Sequence, residues 1–498
     1  MEKKIVIIGA GIAGLAAGCY ARMNGYGAEI LELHDKPGGL CTSWQRKGYL
    51  VDGCLHWLVG SSPAAKGLHQ CWKELGALSG REWVDHEVYI RVEGKDGQAL
   101  TVYSDMDRLE RHLKELSPQD GGTIEEFIGL VRTLARLDLE IPKPKEIQTL
   151  GERLSGLLKI VPFILPFLRY EKVSIQAFAQ KFKDPFLRSA FAAPFDLPDF
   201  PLLGAAFTYS WMHNKTAGYP IGGSLALARG IEQRFLSLGG RVHYKARVEK
   251  IRVDNGRAVG VRLADGSEHG ADAVISAADG HATIFKLLEG KYINEEIKNY
   301  YDRLPKFRPL VQASFGVDRD LSNEPGLMAL ELKEPMTLAG EELKGVSLHN
   351  YSYDPTTAPP GKTTLVIRFM SDYDYWKKLG EDKAAYEEEK EKISHALMGF
   401  LESRYPGISE QVEMIDVATP LTFERYTANW EGSMEGWLIT TKSMRLRMKK
   451  TLPGLDNFYM VGQWVSPGGG LPSCAITAKE VQQLICHHDG REFRTSEA

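Results

Sequence analysis

The chain opens with Lys4-Ile5-Val6-Ile7-Ile8, continues through Gly9-Ala10-Gly11-Ile12-Ala13-Gly14 into a small-residue stretch ending near Met23, and then turns apolar again from Ala28 to Glu32. An apolar strand, a glycine turn, a helix and a second apolar strand make a βαβ unit of a buried parallel sheet. The glycine spacing narrows what that unit binds. Gly9 makes the tight turn, Gly11 lets the backbone approach a pyrophosphate, Gly14 permits close helix–sheet contact, and Ala10, Ile12 and Ala13 complete a loop that leads phosphate to the positive end of the helix dipole. Glu32, eighteen residues after Gly14 and followed by Leu33, is placed to accept the hydroxyls of an adenosine ribose. A 2′-phosphate would be repelled there, so the expected dinucleotide is FAD or NAD rather than NADP. Lys3 and Lys4 before the apolar run imitate a signal peptide, but the glycine spacing and the prompt second strand favour a folded start.

Where an NAD enzyme would begin its next βα unit stands Asp35-Lys36-Pro37-Gly38-Gly39-Leu40-Cys41-Thr42-Ser43, with a glycine pair that begins six residues past Glu32. This second glycine pair favours FAD. It resembles the double-glycine motif of the two-dinucleotide-domain flavoproteins, a superfamily that holds amine oxidases, phytoene desaturases, carotenoid isomerases and retinol saturases. Many members place arginines on both sides of the pair, whereas Lys36 and Leu40 stand here. The resemblance then implies phosphate neutralisation by the fingerprint helix and Lys36, with Leu40 supplying backbone only.

Further resemblance to the phytoene desaturases is spread from residue 5 to about 487. It lies in Gly48-Tyr49-Leu50-Val51-Asp52-Gly53, Tyr219-Pro220-Ile221-Gly222-Gly223-Ser224, Val248-Glu249-Lys250-Ile251, Asp272 to Asp279, Asp354 to Lys362 and Val461 to Pro472. It implies that Val248 brackets the adenine, that Ala277 lies on the strand behind the cofactor, and that Gly462, Gln463, Gly470, Leu471 and Pro472 approach the flavin. Pro472 suits the first turn of a helix, whose positive end at the flavin pyrimidine would stabilise the reduced ring. Gln463 stands where many flavoproteins carry an acid.

Composition agrees with a globular enzyme of this kind. In 498 residues, hydrophobics are 43% and charged residues 25%, which excludes a disordered or fibrous chain, while the 50 glycines exceed the usual share. A net charge of −4 gives no attraction for nucleic acid. Cys19, Cys41, Cys54, Cys71, Cys474 and Cys486 include no CxxC pair, so no metal is expected, and a reducing, cytoplasmic setting fits.

The expected fold is α/β: a discontinuous Rossmann-like FAD-binding domain (1–75, 215–290, 455–490) and an α+β substrate domain (76–214, 291–454) with a mixed antiparallel sheet. Arg241 to Val253 and Ala258 to Leu263 read as a β-meander. Leu157 to Leu168, broken by Pro162 and Pro166, is either a core or substrate-lining helix or, within a patch at 150–170, a surface that dips into a membrane with Arg169 and Lys172 at headgroup level. The basic stretch Lys442 to Lys450 reads as a solvated edge strand, or else faces a membrane or a cofactor phosphate.

The resemblance implies hydride transfer between flavin N5 and carbon–carbon bonds of a polyene or isoprenoid-like substrate. His56 is the candidate proton relay, and Trp57, Tyr209, Trp211, His213 and Tyr219 are candidates for the wall of an apolar tunnel. No second GxGxxG occurs, so a nicotinamide or other electron carrier would bind transiently. A flavin amine oxidase and a non-catalytic prenyl- or lipid-binding escort protein are the alternatives on the same fold.

Overall fold

The computed structural model describes residues 2–137, 140–195 and 197–498. Strand β1 (Lys4–Ile8) pairs in parallel with β2 (Gly27–Leu31) on one side and with Ala273–Ser276 on the other. Arg241–His243 and Phe458–Met460 extend the sheet at its two edges, again in parallel. Strands gathered from the start, middle and end of the sequence thus form one five-stranded parallel sheet. Its central strands are largely buried on both faces, which is why apolar residues dominate them instead of alternating, with Glu29 and Ser276 as buried polar exceptions.

Helix α1 (Ile12–Met23) covers one face, and its crowding explains its small residues. A Cβ on Gly18 would stand 2.7 Å from the Phe235 ring, so a larger residue would push apart α1 and the helix Gly223–Ser237. Of the expected meander, Val248–Asp254, Arg257–Leu263 and Glu268–Gly270 form a separate three-stranded sheet, while Arg241–His243 joins the parallel sheet instead.

A second, seven-stranded sheet draws on two distant segments. Val412–Ala418, Leu310–Val317, Thr363–Met370, Glu341–Asn350 and Leu327–Leu338 are antiparallel neighbours, and Leu327–Leu338 then pairs in parallel with Val88–Glu93, which pairs with Ala99–Tyr103. Helices between 106 and 213 build an aromatic core beside this edge around Phe127, Phe178, Phe191 and Tyr209. Among the described residues no helix is long and apolar enough to cross a membrane.

The stretch from Leu150 to Tyr170 departs from ordinary core packing. It forms the helix Leu150–Ile160, a 3-10 turn and the helix Ile164–Tyr170. None of the 11 residues of the first helix is buried. Leu154, Leu157, Leu158, Leu165 and Leu168 are each at least 60% exposed, which overturns the reading of this stretch as a core helix. The basic stretch is corrected too: residues 442–450 form turns and irregular chain rather than an edge strand.

Candidate functional site

One cavity of about 1740 Å³ runs through the molecule from the carboxyl ends of β1 and β2 to the helix Leu150–Ile160. Its inner end is walled by Gly9, Gly11, Ile12, Ala13, Glu32, Leu33, Gly38, Gly39 and Leu40, with Val248 and Ala277 opposite. Ala10 and Gly14 stand behind this wall. The Ala10 N–H donates to Glu32 Oε2 at 2.6 Å, and a Cβ on Gly14 would stand 1.9 Å from the Gly9 carbonyl oxygen. Gly9 itself has φ +94°, which a side chain disfavours.

Gly11 differs from Gly14. A Cβ there would meet no protein atom nearer than Gly38 O at 3.9 Å, so bare backbone at the start of α1 faces open cavity. This is the cradle that a pyrophosphate requires. Glu32 fits the same ligand. One carboxylate oxygen accepts from Ala10 and the other from the His34 N–H at 2.8 Å, leaving two of its four lone-pair sites free on a group that borders the cavity. Burial raises its pKa, and the backbone donors partly offset that rise.

Lys36 is not at this wall. Its ammonium reaches the Ser43 carbonyl instead, at 3.4 Å. Arg247, Lys286, Arg447 and Lys450 do border the cavity, Lys450 in an ion pair with Glu480. Arg447 and Lys450 come from the basic stretch, in line with its alternative reading as facing the cofactor, whereas Arg247 and Lys286 come from other loops that no local motif marks.

Farther along, Gly462, Gln463, Gly468, Gly469, Gly470, Leu471 and Pro472 form the next section of wall. The helix Gly470–His488 starts here with Pro472 in its first turn, directing its N-terminal N–H groups at the cavity. The Gln463 amide lies 3.5 Å from Asn429 Oδ1.

His56 borders the cavity, but its surroundings oppose proton uptake. Its Nε2 lies 2.9 Å from an Arg368 guanidinium nitrogen. A guanidinium only donates, so Nε2 accepts and the ring proton sits on Nδ1, which is buried without a partner. Burial first, then the Arg368 charge and His86, hold the imidazole well below its usual range. A histidine kept neutral in this way is poorly suited to be the proton relay the sequence suggested.

Of the expected aromatic wall, Trp57 and Trp211 line the outer part of the cavity, with ring centroids 6.3 Å apart. Tyr209, His213 and Tyr219 do not. Tyr209 sits in the aromatic core against Phe127, His213 Nδ1 faces the Met106 N–H, and the buried Tyr219 hydroxyl donates to Asp354 at 2.9 Å. The cavity then reaches Ile141, Gly156 and Ile160 at its outer mouth. There the ion pairs Lys143–Glu152 and Lys159–Glu140 tie the helix Leu150–Ile160 to the preceding segment.

A sequence model of flavin containing amine oxidoreductases matches residues 12–486, nearly the whole chain. The chain belongs to this family. FAD is accordingly its cofactor, the protein is an oxidoreductase, and the glycine-walled cavity fits the dinucleotide. The chain is 26% identical over 508 residues to a phytoene desaturase (lycopene-forming) of Pseudescherichia vulneris, covering 97% of this chain and 99% of that one. It is also 26% identical over 506 residues to a chloroplastic prolycopene isomerase of Arabidopsis thaliana, covering 97% and 82%. Among solved structures, an oxidoreductase from Methanosarcina mazei superposes with a TM-score of 0.58 at 19% identity, over 96% of this chain and 100% of that one.

Proposed function

We propose that this flavoprotein transfers hydride between FAD and carbon–carbon bonds of a polyene or isoprenoid-like substrate taken from a lipid surface. The carrying observation is the continuity of the cavity. It passes from the glycine cradle, past Trp57 and Trp211, to a helix whose opposite face is exposed leucine. At 100° per residue, Gly156, Lys159 and Ile160 lie on the cavity side of that helix, and Leu154, Leu157 and Leu158 lie on the far side. A long apolar molecule could therefore pass from lipid to cavity around one helix. Arg153, Arg169 and Lys172 lie near the apolar face in sequence and supply cations, as in surface-seated helices.

In this reading Gly9, Gly11 and the first turn of α1 hold the pyrophosphate, Glu32 the ribose, and Val248 and Ala277 the adenine end. Gln463 and the helix start at Gly470, Leu471 and Pro472 hold the ring. When bound, FAD supplies the acceptor or donor of hydride. Trp57 and Trp211 orient the substrate and exclude water from the reacting carbons. Trp57, Trp211, Ile141 and Ile160 give the outer wall apolar surface for a polyene, while the carboxylates at its mouth, Glu140 and Glu152, are already paired with lysines and leave an amine no free partner there among the described residues. The names of the similar desaturase and isomerase support the same substrate class.

The test is anaerobic mixing of the purified holoprotein with vesicles carrying phytoene, prolycopene, a retinoid or an amine. Loss of flavin absorbance with the polyenes is expected. Bleaching by the amine alone would replace this reading with an amine oxidase, and a protein that binds prenyl lipid without any flavin change in either direction would replace it with an escort role.

A further inference from the structure

The wall at Gly468 to Pro472 includes one carboxyl that cofactor binding does not account for. Most acids bordering the cavity are satisfied: Glu32 and Asp279 accept backbone N–H groups, Glu140, Glu152 and Glu480 pair with lysines, and Glu424 accepts the Tyr373 hydroxyl. Glu435 is the exception. Among the described residues its carboxyl has neither a hydrogen bond nor an ion pair, although it borders the same cavity.

Its position is set by two bare stretches of backbone. A Cβ on Gly469 would stand 2.6 Å from Glu435 Oε2, and one on Gly436 would stand 2.4 Å from the Gln463 carbonyl oxygen. The carboxyl therefore lies against the turn that starts the helix Gly470–His488, next to the loop of Gln463. Glycine at 469 leaves room for it, and the adjoining wall is the one assigned above to the flavin ring.

The surroundings favour the neutral acid. Burial alone pushes Glu435 up to about 8. The titratable group facing it is the Cys474 thiol, itself raised to about 12 by burial and then by Glu435. Ser433, Gly436, Gln463 and Gly469 present only uncharged groups. A carboxyl that changes protonation near neutral pH, with no partner to fix its state, meets the requirement for a general acid or base.

We propose that Glu435 carries the proton of the reaction. When a double bond forms, one substrate carbon gives up hydride with its electron pair to the flavin. Glu435, as carboxylate, accepts a proton from the neighbouring carbon, and the electrons of that C–H bond become the new C=C bond. In saturation the neutral carboxyl returns the proton as hydride arrives. This assignment rests on the carbon–carbon reading above, but its test needs no substrate.

The experiment is a redox titration of the bound flavin in holoprotein from pH 7 to pH 10. Uptake of one proton per electron pair lowers the midpoint potential by about 30 mV per pH unit, and uptake of two by about 59 mV, because a tenfold change corresponds to 29.6 mV for a two-electron couple. The wild type is expected to steepen from the first slope to the second above pH about 8, as electron arrival draws a proton onto Glu435. Glu435→Gln is expected to keep the shallow slope throughout while retaining FAD, and Glu435→Asp to restore a steep section. A shallow wild-type slope, or a steep section surviving in Glu435→Gln, would overturn the assignment. Failure of the polyene panel would instead overturn the substrate reading, with the titration still deciding whether Glu435 takes up the proton.

Discussion

At its inner end the cavity is walled by bare backbone at Gly9, Gly11, Gly38 and Gly39, and at its outer end by Trp57, Trp211, Ile141 and Ile160. The inner wall holds its shape because side chains are excluded: a Cβ on Gly14 or Gly38 would stand 1.9 Å or 2.2 Å from a carbonyl oxygen. The outer wall includes a helix with no buried residue. A shape defined by exclusion tolerates almost no substitution, whereas one built from exposed side chains can change its surface without unfolding. The two ends should therefore respond to mutation in opposite ways.

The largest effect is expected inside. Gly14→Val forces branched carbon into the Gly9 carbonyl and should cost about 3 kcal/mol of stability, together with the bound FAD. Thermal unfolding and flavin absorbance check this, and a Gly14→Val protein that stays yellow with an unchanged midpoint would break the contrast. Next is Glu32→Arg, which removes acceptors for Ala10, His34 and the ribose. A loss of roughly 1.5–3 kcal/mol in FAD binding is expected, read by equilibrium dialysis as about 10- to 100-fold weaker retention.

Glu435 gives an intermediate effect that depends on pH. Its carboxyl is raised from 4.5 to about 8 in the folded protein, so between those values the native state holds a proton that the unfolded chain has lost. Stability from this group is therefore full below pH about 4.5 and declines as pH rises through about 8. The slope should be below the one-proton limit of about 1.4 kcal/mol per pH unit, because the cavity lets water screen the charge. Urea titrations of wild type and Glu435→Gln should diverge across this window, and parallel curves would show that the carboxyl is already ionised.

The smallest effect on stability is expected outside. Leu157→Glu with Leu165→Glu should change unfolding by less than about 0.5 kcal/mol per site while abolishing flotation with lipid vesicles. Large destabilisation would mean that these leucines are packed, and undiminished flotation would remove the lipid surface from the proposal.

The same contrast decided what the sequence disclosed. The inner wall is written in contiguous residues, since the turn at Gly9, the approach at Gly11 and the carboxylate of Glu32 belong to one βαβ unit. The apolar runs at β1, β2, Ala273–Ser276 and Phe458–Met460 mark strands of the five-stranded sheet, whereas Arg241–His243 reads as part of the meander and only tertiary folding brings it to the sheet edge. The aromatic run Tyr209, Trp211, His213 misled because it was treated as one surface. On the helix Leu202–His213, residues two apart diverge by about 200°, so Trp211 faces the cavity while Tyr209 faces the aromatic core. Glu435 carried no local signal, because tertiary folding alone brings it to the wall, whereas Arg447 and Lys450 belong to the basic stretch whose alternative reading faced the cofactor. Lys36 lies close to the fingerprint in sequence, yet its side chain turns away to Ser43.

The bond from the Ala10 N–H to Glu32 has a bearing on how this protein could acquire a different cofactor. Accepting NADP would require replacing the acid that repels a 2′-phosphate, but here that acid also fastens the fingerprint loop to the end of β2. A single exchange at position 32 would loosen the loop in the same step that changed its preference, so cofactor choice and loop architecture are inherited together. A productive switch would need a second substitution that supplies a new acceptor for Ala10, either beforehand or at once.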